Sequence, residues 1–293
     1  MKLRVPARRR VLRWIVILIP IVIVVLYLVV PAVFGVYVVF PYKESVGAPP
    51  EGFAEVSLTT EDGVKLAAWY APPANGTAIL LIHGAGGSRE GVRGHAAMLH
   101  EQGYGVLALD LRGHGESGGR ANRFGWQGTR DVRAAAAYLQ EQPEVTTIGG
   151  LGLSLGGEVL LGAASGVPAL RAIVADGATQ RSLDELRALP SERPLVRNFT
   201  ARVMFATVQL LSGDDPPQPP LLESMVEAEG TTFLLIAAGS DTQEVDFNTL
   251  FAETVGERAT LWVAPDASHT GAFKRYPDEY KRRVIAFFDA ALR

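Results

Sequence analysis

The sequence predicts an α/β chain: a doubly wound, mostly parallel sheet with a small helical lid, preceded by one N-terminal transmembrane helix. Three observations carry this. Continuous apolar runs recur at Ala78–Ile82, Val106–Leu109, Ile148–Leu153, Ala172–Ala175, Thr232–Ala238 and Ala259–Val263. Such runs, unlike alternating ones, suit strands covered on both faces of a parallel sheet. Helical patterns lie between them, and a strand-helix alternation winds in this way. Finally, no charged residue occurs from Trp14 to Tyr42.

The N-terminal stretch is long enough to cross the hydrocarbon core, which takes about 20 apolar residues. Pro20 and Pro31 each tend to kink or end a helix, which places the span at roughly 12 to 34 within an anchor segment of residues 1–42. Lys2, Arg4, Arg8, Arg9, Arg10 and Arg13 precede it, and only Lys43 follows closely. The positive-inside bias then puts the N-terminus in the cytoplasm and the rest on the extracytoplasmic side, as a single-pass protein. A cleaved signal peptide is the alternative, but its apolar core usually runs about 7–15 residues, so an uncleaved anchor is expected.

Residues 43–53 are rich in turn formers and read as a linker. In the remaining segment, 54–293, two alternating stretches, Ala54–Thr60 and Val64–Tyr70, flank Glu61-Asp62-Gly63, a hairpin signal. Helices are expected over Glu90–Gln102, ending at Gly103, over Trp126–Gln140, ending before Pro143, and over the amphipathic Asp278–Leu292. The interval of about 178–229 is too long for a structureless loop in a compact domain and reads as a helical insertion, the lid.

All 31 acidic residues follow residue 13, as do 22 of the 28 basic ones, so this part carries nine net negative charges. Such a balance argues against nucleic acid as a partner. Cysteine is absent, which excludes disulfides, thiolate metal sites and a thiol nucleophile. No His/carboxylate cluster has ligand spacing, and the glycine-rich turn at 84–87 lacks the Lys-Ser/Thr of a phosphate loop. Neither a metal nor another cofactor is expected.

Gly152-Leu153-Ser154-Leu155-Gly156 offers a nucleophile. Gly-x-Ser-x-Gly suits a sharp strand-to-helix elbow, with glycines letting the chain turn beneath an exposed serine. Gly115-Glu116-Ser117-Gly118-Gly119 fits the same pattern. Only Ser154 follows an apolar strand and opens an apolar helix, so Ser117 reads as a loop residue. A serine hydroxyl needs a base oriented by a carboxylate. Among five histidines, His95 and His100 fall in a helix, His114 in a loop, and His83 begins a turn suited to presenting backbone amides. His269 is the only histidine after Ser154 and follows the last strand, which makes it the base. For the acid, Asp241 stands at the end of the preceding strand, with Asp246 and Asp176 as rivals. The backbone N–H groups of Ala85 and Leu155 are expected to form an oxyanion hole.

These residues resemble the α/β-hydrolase superfamily, more narrowly its monoacylglycerol lipase-like and S33 (serine aminopeptidase-like) branch. The resemblance rests on His83-Gly84-Ala85-Gly86, Asp110-Leu111-Arg112-Gly113-His114-Gly115-Glu116-Ser117, Gly152-Leu153-Ser154-Leu155-Gly156-Gly157, Asp241 and His269, spanning nearly all of 54–293. It departs at the acid: the branch's hydrophobic-Pro pair after the aspartate is missing, and Val245-Asp246 follows instead. The resemblance implies an α/β-hydrolase fold and a serine hydrolase acting on a small ester or lipid-like substrate through an acyl-enzyme. An S33-type peptidase or an acyltransferase shares those residues. A catalytically silent, membrane-tethered binding module is the alternative from another class, and it gives no chemical reason to keep all three residue types.

Overall fold

The computed structural model describes residues 7–190 and 194–293, so Lys2 and Arg4 lie outside the described residues. Eight strands form one sheet: β1 (Ala54–Thr59), β2 (Lys65–Ala71), β3 (Thr77–Ile82), β4 (Gly105–Leu109), β5 (Thr147–Leu153), β6 (Leu170–Asp176), β7 (Thr232–Ala238) and β8 (Ala259–Ala264). Their spatial order is β1-β2-β4-β3-β5-β6-β7-β8. The hairpin β1–β2 joins β4 in antiparallel sense, with Ala68 opposite Leu109, and every pairing from β4 to β8 is parallel. Each expected strand is present, displaced by no more than two residues at either end.

Two cores flank the sheet, and the apolar runs explain them, since alternate residues of one strand enter opposite cores. In β3, Leu80 and Ile82 face α4 (Gly128–Gln140) and α5 (Leu155–Ala163), whereas Ile79 and Leu81 face α3 (Arg93–His100) and α11 (Pro277–Leu292). The first core also takes Phe247 and Phe251 of α9 (Thr242–Val255). Among the described residues between β6 and β7 stand three helices, α6 (Leu183–Arg187), α7 (Pro194–Ser212) and α8 (Leu221–Glu227). A short α10 (Ala272–Arg275) precedes α11.

The N-terminal helix is longer than expected. It comprises α1 (Ala7–Val24), a π-helical turn (Val25–Val29) and α2 (Val30–Val39). Pro31 does not end it, because a proline just after a π-turn sits at the first turn of α2, where its missing N–H is not called on. Pro41 ends it instead by holding Phe40 extended (ψ 133°). Residues Val11–Val39 make a 29-residue helix containing an 18-residue stretch of mean hydropathy 3.1, long and apolar enough to cross a membrane. Its last part packs against α7.

Candidate active site

In a parallel sheet the crevice lies outside the carboxyl ends of the strands, where strand order reverses. Here β3 and β5 are that place, and the loops after β3, β4, β5, β6, β7 and β8 all open on the same edge. His83, Asp110, Ser154, Asp176, Asp241 and His269 therefore gather there from six strand ends.

Ser154 follows β5 directly and caps α5, with φ 49° and ψ −116°. A non-glycine residue in that region is strained. The glycines make it attainable: a Cβ at Gly156 would stand 2.5 Å from the Ile82 carbonyl oxygen, and one at Gly152 would overlap the backbone of Gly156. The Ser154 N–H donates to the Asp176 carbonyl at 2.7 Å, which ties the elbow to β6.

The Ser154 hydroxyl donates to His269 Nε2 at 2.8 Å. His269 follows β8 on a turn whose flanking residues Asp266 and Thr270 also adopt positive φ. Its Nδ1–H donates at 2.6 Å to Glu244 Oε2. That contact corrects the expectation for Asp241. The Asp241 carboxylate is occupied as the N-cap of α9, accepting from the Glu244 N–H at 3.1 Å. Glu244, three residues on and fully buried, has the longer side chain and reaches back across the strand end. Its Oε1 accepts from the Ala238 N–H at 2.6 Å, so both oxygens are engaged. Asp246 is exposed on α9. Asp176 is buried beside the site, and burial pushes its carboxyl up to about 7. Glu244 was not among the residues expected as the acid, which were Asp241, Asp246 and Asp176. The missed signal was Asp241-x-x-Glu244, the spacing of a helix N-cap and its third-position carboxylate.

The hydrogen bond that His269 donates to Glu244 raises its pKa above that of a free imidazole, with burial opposing. A base raised in this way is more willing to take the serine proton.

The turn after β3 lies against Ser154: a Cβ at Gly84 would sit 3.5 Å from Ser154 Cβ. His83 holds that turn. The Leu111 N–H donates to its Nε2 at 3.2 Å, so Nδ1 carries the proton and donates to the Gly84 carbonyl at 2.8 Å. Burial lowers its pKa to about 4, which keeps it neutral. Ala85 and Leu155 line one cavity with Ser154, of about 270 Å³.

Ser117 is buried away from this cavity. It accepts from the Ala67 N–H at 2.8 Å and donates to the Asp110 carbonyl at 2.6 Å. His114 is buried too, with Nδ1 at 3.0 Å from the Arg112 carbonyl. His95 is buried against Phe273 and Tyr280, and His100 packs on Phe53.

Residues 79–283 match the model of the Alpha/beta hydrolase family. Uncharacterized protein Rv2307c of Mycobacterium tuberculosis is 31% identical over 189 residues, covering 59% of this chain and 66% of that relative, just under two thirds of its length. Among solved structures, the Pyrococcus furiosus esterase Pf2001 superposes with a TM-score of 0.70 at 25% identity, over 87% of this chain and 99% of the esterase. A dienelactone hydrolase from Anabaena variabilis shares the fold, with a TM-score of 0.60 at 21% identity over 83% of this chain and all of that one. With its strand order, its strained serine elbow and a family match over most of its length, this chain belongs to the alpha/beta hydrolase family.

Proposed function

We propose that the protein is a serine esterase in which Ser154 is the nucleophile, His269 the general base and Glu244 the residue that orients the base. One observation carries this reading: the continuous relay Ser154 Oγ to His269 Nε2 at 2.8 Å and His269 Nδ1 to Glu244 at 2.6 Å, on a strained elbow. As Ser154 Oγ attacks the ester carbonyl carbon, its proton passes to His269 Nε2. Glu244 stabilises the imidazolium that results. The N–H groups of Ala85 and Leu155 receive the oxyanion, each worth about 3–4 kcal/mol in the transition state. Collapse breaks the bond to the alcohol oxygen, which takes the proton from His269. A water, deprotonated by His269, then attacks the acyl-serine, releases the carboxylic acid and restores Ser154. The likeness to the Pyrococcus furiosus esterase favours an ester over other acyl compounds.

The same reading takes the N-terminal helix as an uncleaved anchor, with the N-terminus cytoplasmic and the catalytic part across the membrane. Its length and hydropathy support a membrane span, and the basic residues that precede it support the orientation. Steady-state hydrolysis of p-nitrophenyl butyrate by the full chain tests the reading. Ser154→Ala is expected to lower kcat by about 10⁴-fold or more. A Ser154→Ala variant as active as wild type would overturn it.

A further inference from the structure

The cavity holding Ser154 is not closed by the hydrolase domain alone. Phe34, Tyr37 and Val38 of α2 line it, opposite Ala85 and Leu155. The end of the apolar helix is fixed in that position. Val38 is buried in the core that contains Leu155 and Trp126, and its carbonyl accepts from the Arg123 N–H at 3.1 Å. The Arg123 guanidinium, itself a wall of the cavity, stands 4.0 Å from the Tyr37 ring centre. Beyond Pro41, the Tyr42 N–H donates to the Gly113 carbonyl at 2.9 Å.

The second helix at this place is α7. It packs along α2 and the π-turn, and the contact is close: a Cβ at Gly35 would stand 2.7 Å from the Met204 carbonyl and 2.8 Å from Thr207 Cβ. A small residue that lets two backbones approach is how helices pack within a bilayer. The inner side of α7 is used by Phe205, which packs tilted on Phe124 and stacks on Trp126. Its outer side bears Leu195 and Leu210, 86% and 84% exposed, with Phe199 and Leu211 also uncovered and the polar Arg202 and Gln209 exposed beside them. The helix carries two arginines and no acidic residue. Apolar and basic residues with no acid suit a helix lying in a membrane surface.

We propose that α2 and α7 lie in one bilayer leaflet and form the mouth of the catalytic cavity, so that the substrate is a long-chain acyl ester taken laterally from the membrane. The inference rests on the esterase reading and adds the substrate class. Span length agrees. A helix of 29 residues is about 44 Å long, against a hydrocarbon core of about 30 Å. With the core filled from near Val11, the residues around Phe34 and Tyr37 fall at the boundary of acyl chains and headgroups. The ester bond of a membrane lipid lies at that depth, and its acyl chain would extend along the exposed sides of α2 and α7.

The test uses the full chain in phosphatidylcholine nanodiscs. p-Nitrophenyl palmitate, which partitions into the disc, is compared with p-nitrophenyl butyrate. Wild type is expected to prefer palmitate by about tenfold or more in kcat/KM. Leu210→Glu should lower palmitate turnover about tenfold and leave butyrate within twofold, and Phe34→Ala should reduce the palmitate-to-butyrate ratio. Because the chain has no cysteine, Phe199→Cys and Leu210→Cys can each carry a single nitroxide label. Both labels are expected to be accessible to oxygen and shielded from a water-soluble nickel chelate. Butyrate hydrolysis with no palmitate preference, or labels exposed to nickel, would overturn the proposal. So would labels shielded from both reagents, which would mark a protein partner or a second copy on α7. Labels in the bilayer with neither ester hydrolysed would remove the esterase reading, and the substrate class with it.

Discussion

At the scale of single residues, the division of labour between Asp241 and Glu244 decides how the site works. One carboxylate starts the helix and the other faces the base, three residues apart. Glu244→Gln is expected to lower kcat for p-nitrophenyl butyrate by about 10²–10⁴-fold, because the amide cannot stabilise the imidazolium. Asp241→Asn keeps a capping oxygen and should stay within about fivefold of wild type. Equal losses in the two variants would contradict the assignment. The pH profile gives a second check. In the proposed role His269 must be neutral to accept the serine proton, and its hydrogen bond to Glu244 raises its pKa above the free value of about 6.5. Activity should therefore fall as pH drops through a midpoint above 6.5, and Glu244→Gln should move that midpoint to lower pH while reducing the plateau. The meeting of Ser154 with His269 at one edge of the sheet was legible in the sequence, because motif and chain order single out both residues. Glu244 was not, since helix geometry rather than strand-end position brings it to the histidine.

At the scale of elements, the strands were legible because burial on both faces demands continuous apolar runs, and each run in the sequence became a strand. Helix ends were less so. Pro31 was expected to help end the apolar helix, yet the π-turn before it moves the proline into a first turn that tolerates it. The junction of β5 and α5 depends on bare glycine backbone. Gly156→Ala would press a methyl onto the Ile82 carbonyl, at an expected stability cost of about 1–3 kcal/mol and with Ser154 displaced. Chemical denaturation and butyrate turnover of one preparation would show both losses. Unchanged activity would mean the elbow tolerates a side chain there. The second Gly-x-Ser-x-Gly match belongs to the loop after β4, where Ser117 links β2 to Asp110. Ser117→Ala leaves the half-buried Ala67 N–H without that partner and should cost about 1 kcal/mol of stability while Ser154 stays reactive.

Across the whole molecule, the acidic hydrolase domain and the apolar N-terminal helix look separable in the sequence, joined by a turn-rich linker. The folded chain joins them more closely. Val38 enters the core, Tyr42 pairs with the loop after β4, and α2 borders the cavity of Ser154. No local pattern announces this, because it depends on contacts between residues some 50 to 170 positions apart. The central claim is an activated serine at position 154, and labelling by a fluorophosphonate probe tests it most directly. The full chain in detergent would be treated with the probe, digested, and the modified peptide identified by mass spectrometry, beside Ser154→Ala and Ser117→Ala. The adduct is expected on Ser154 in wild type and Ser117→Ala, with none in Ser154→Ala. A folded wild type that takes no label, or an adduct on Ser117, would contradict it.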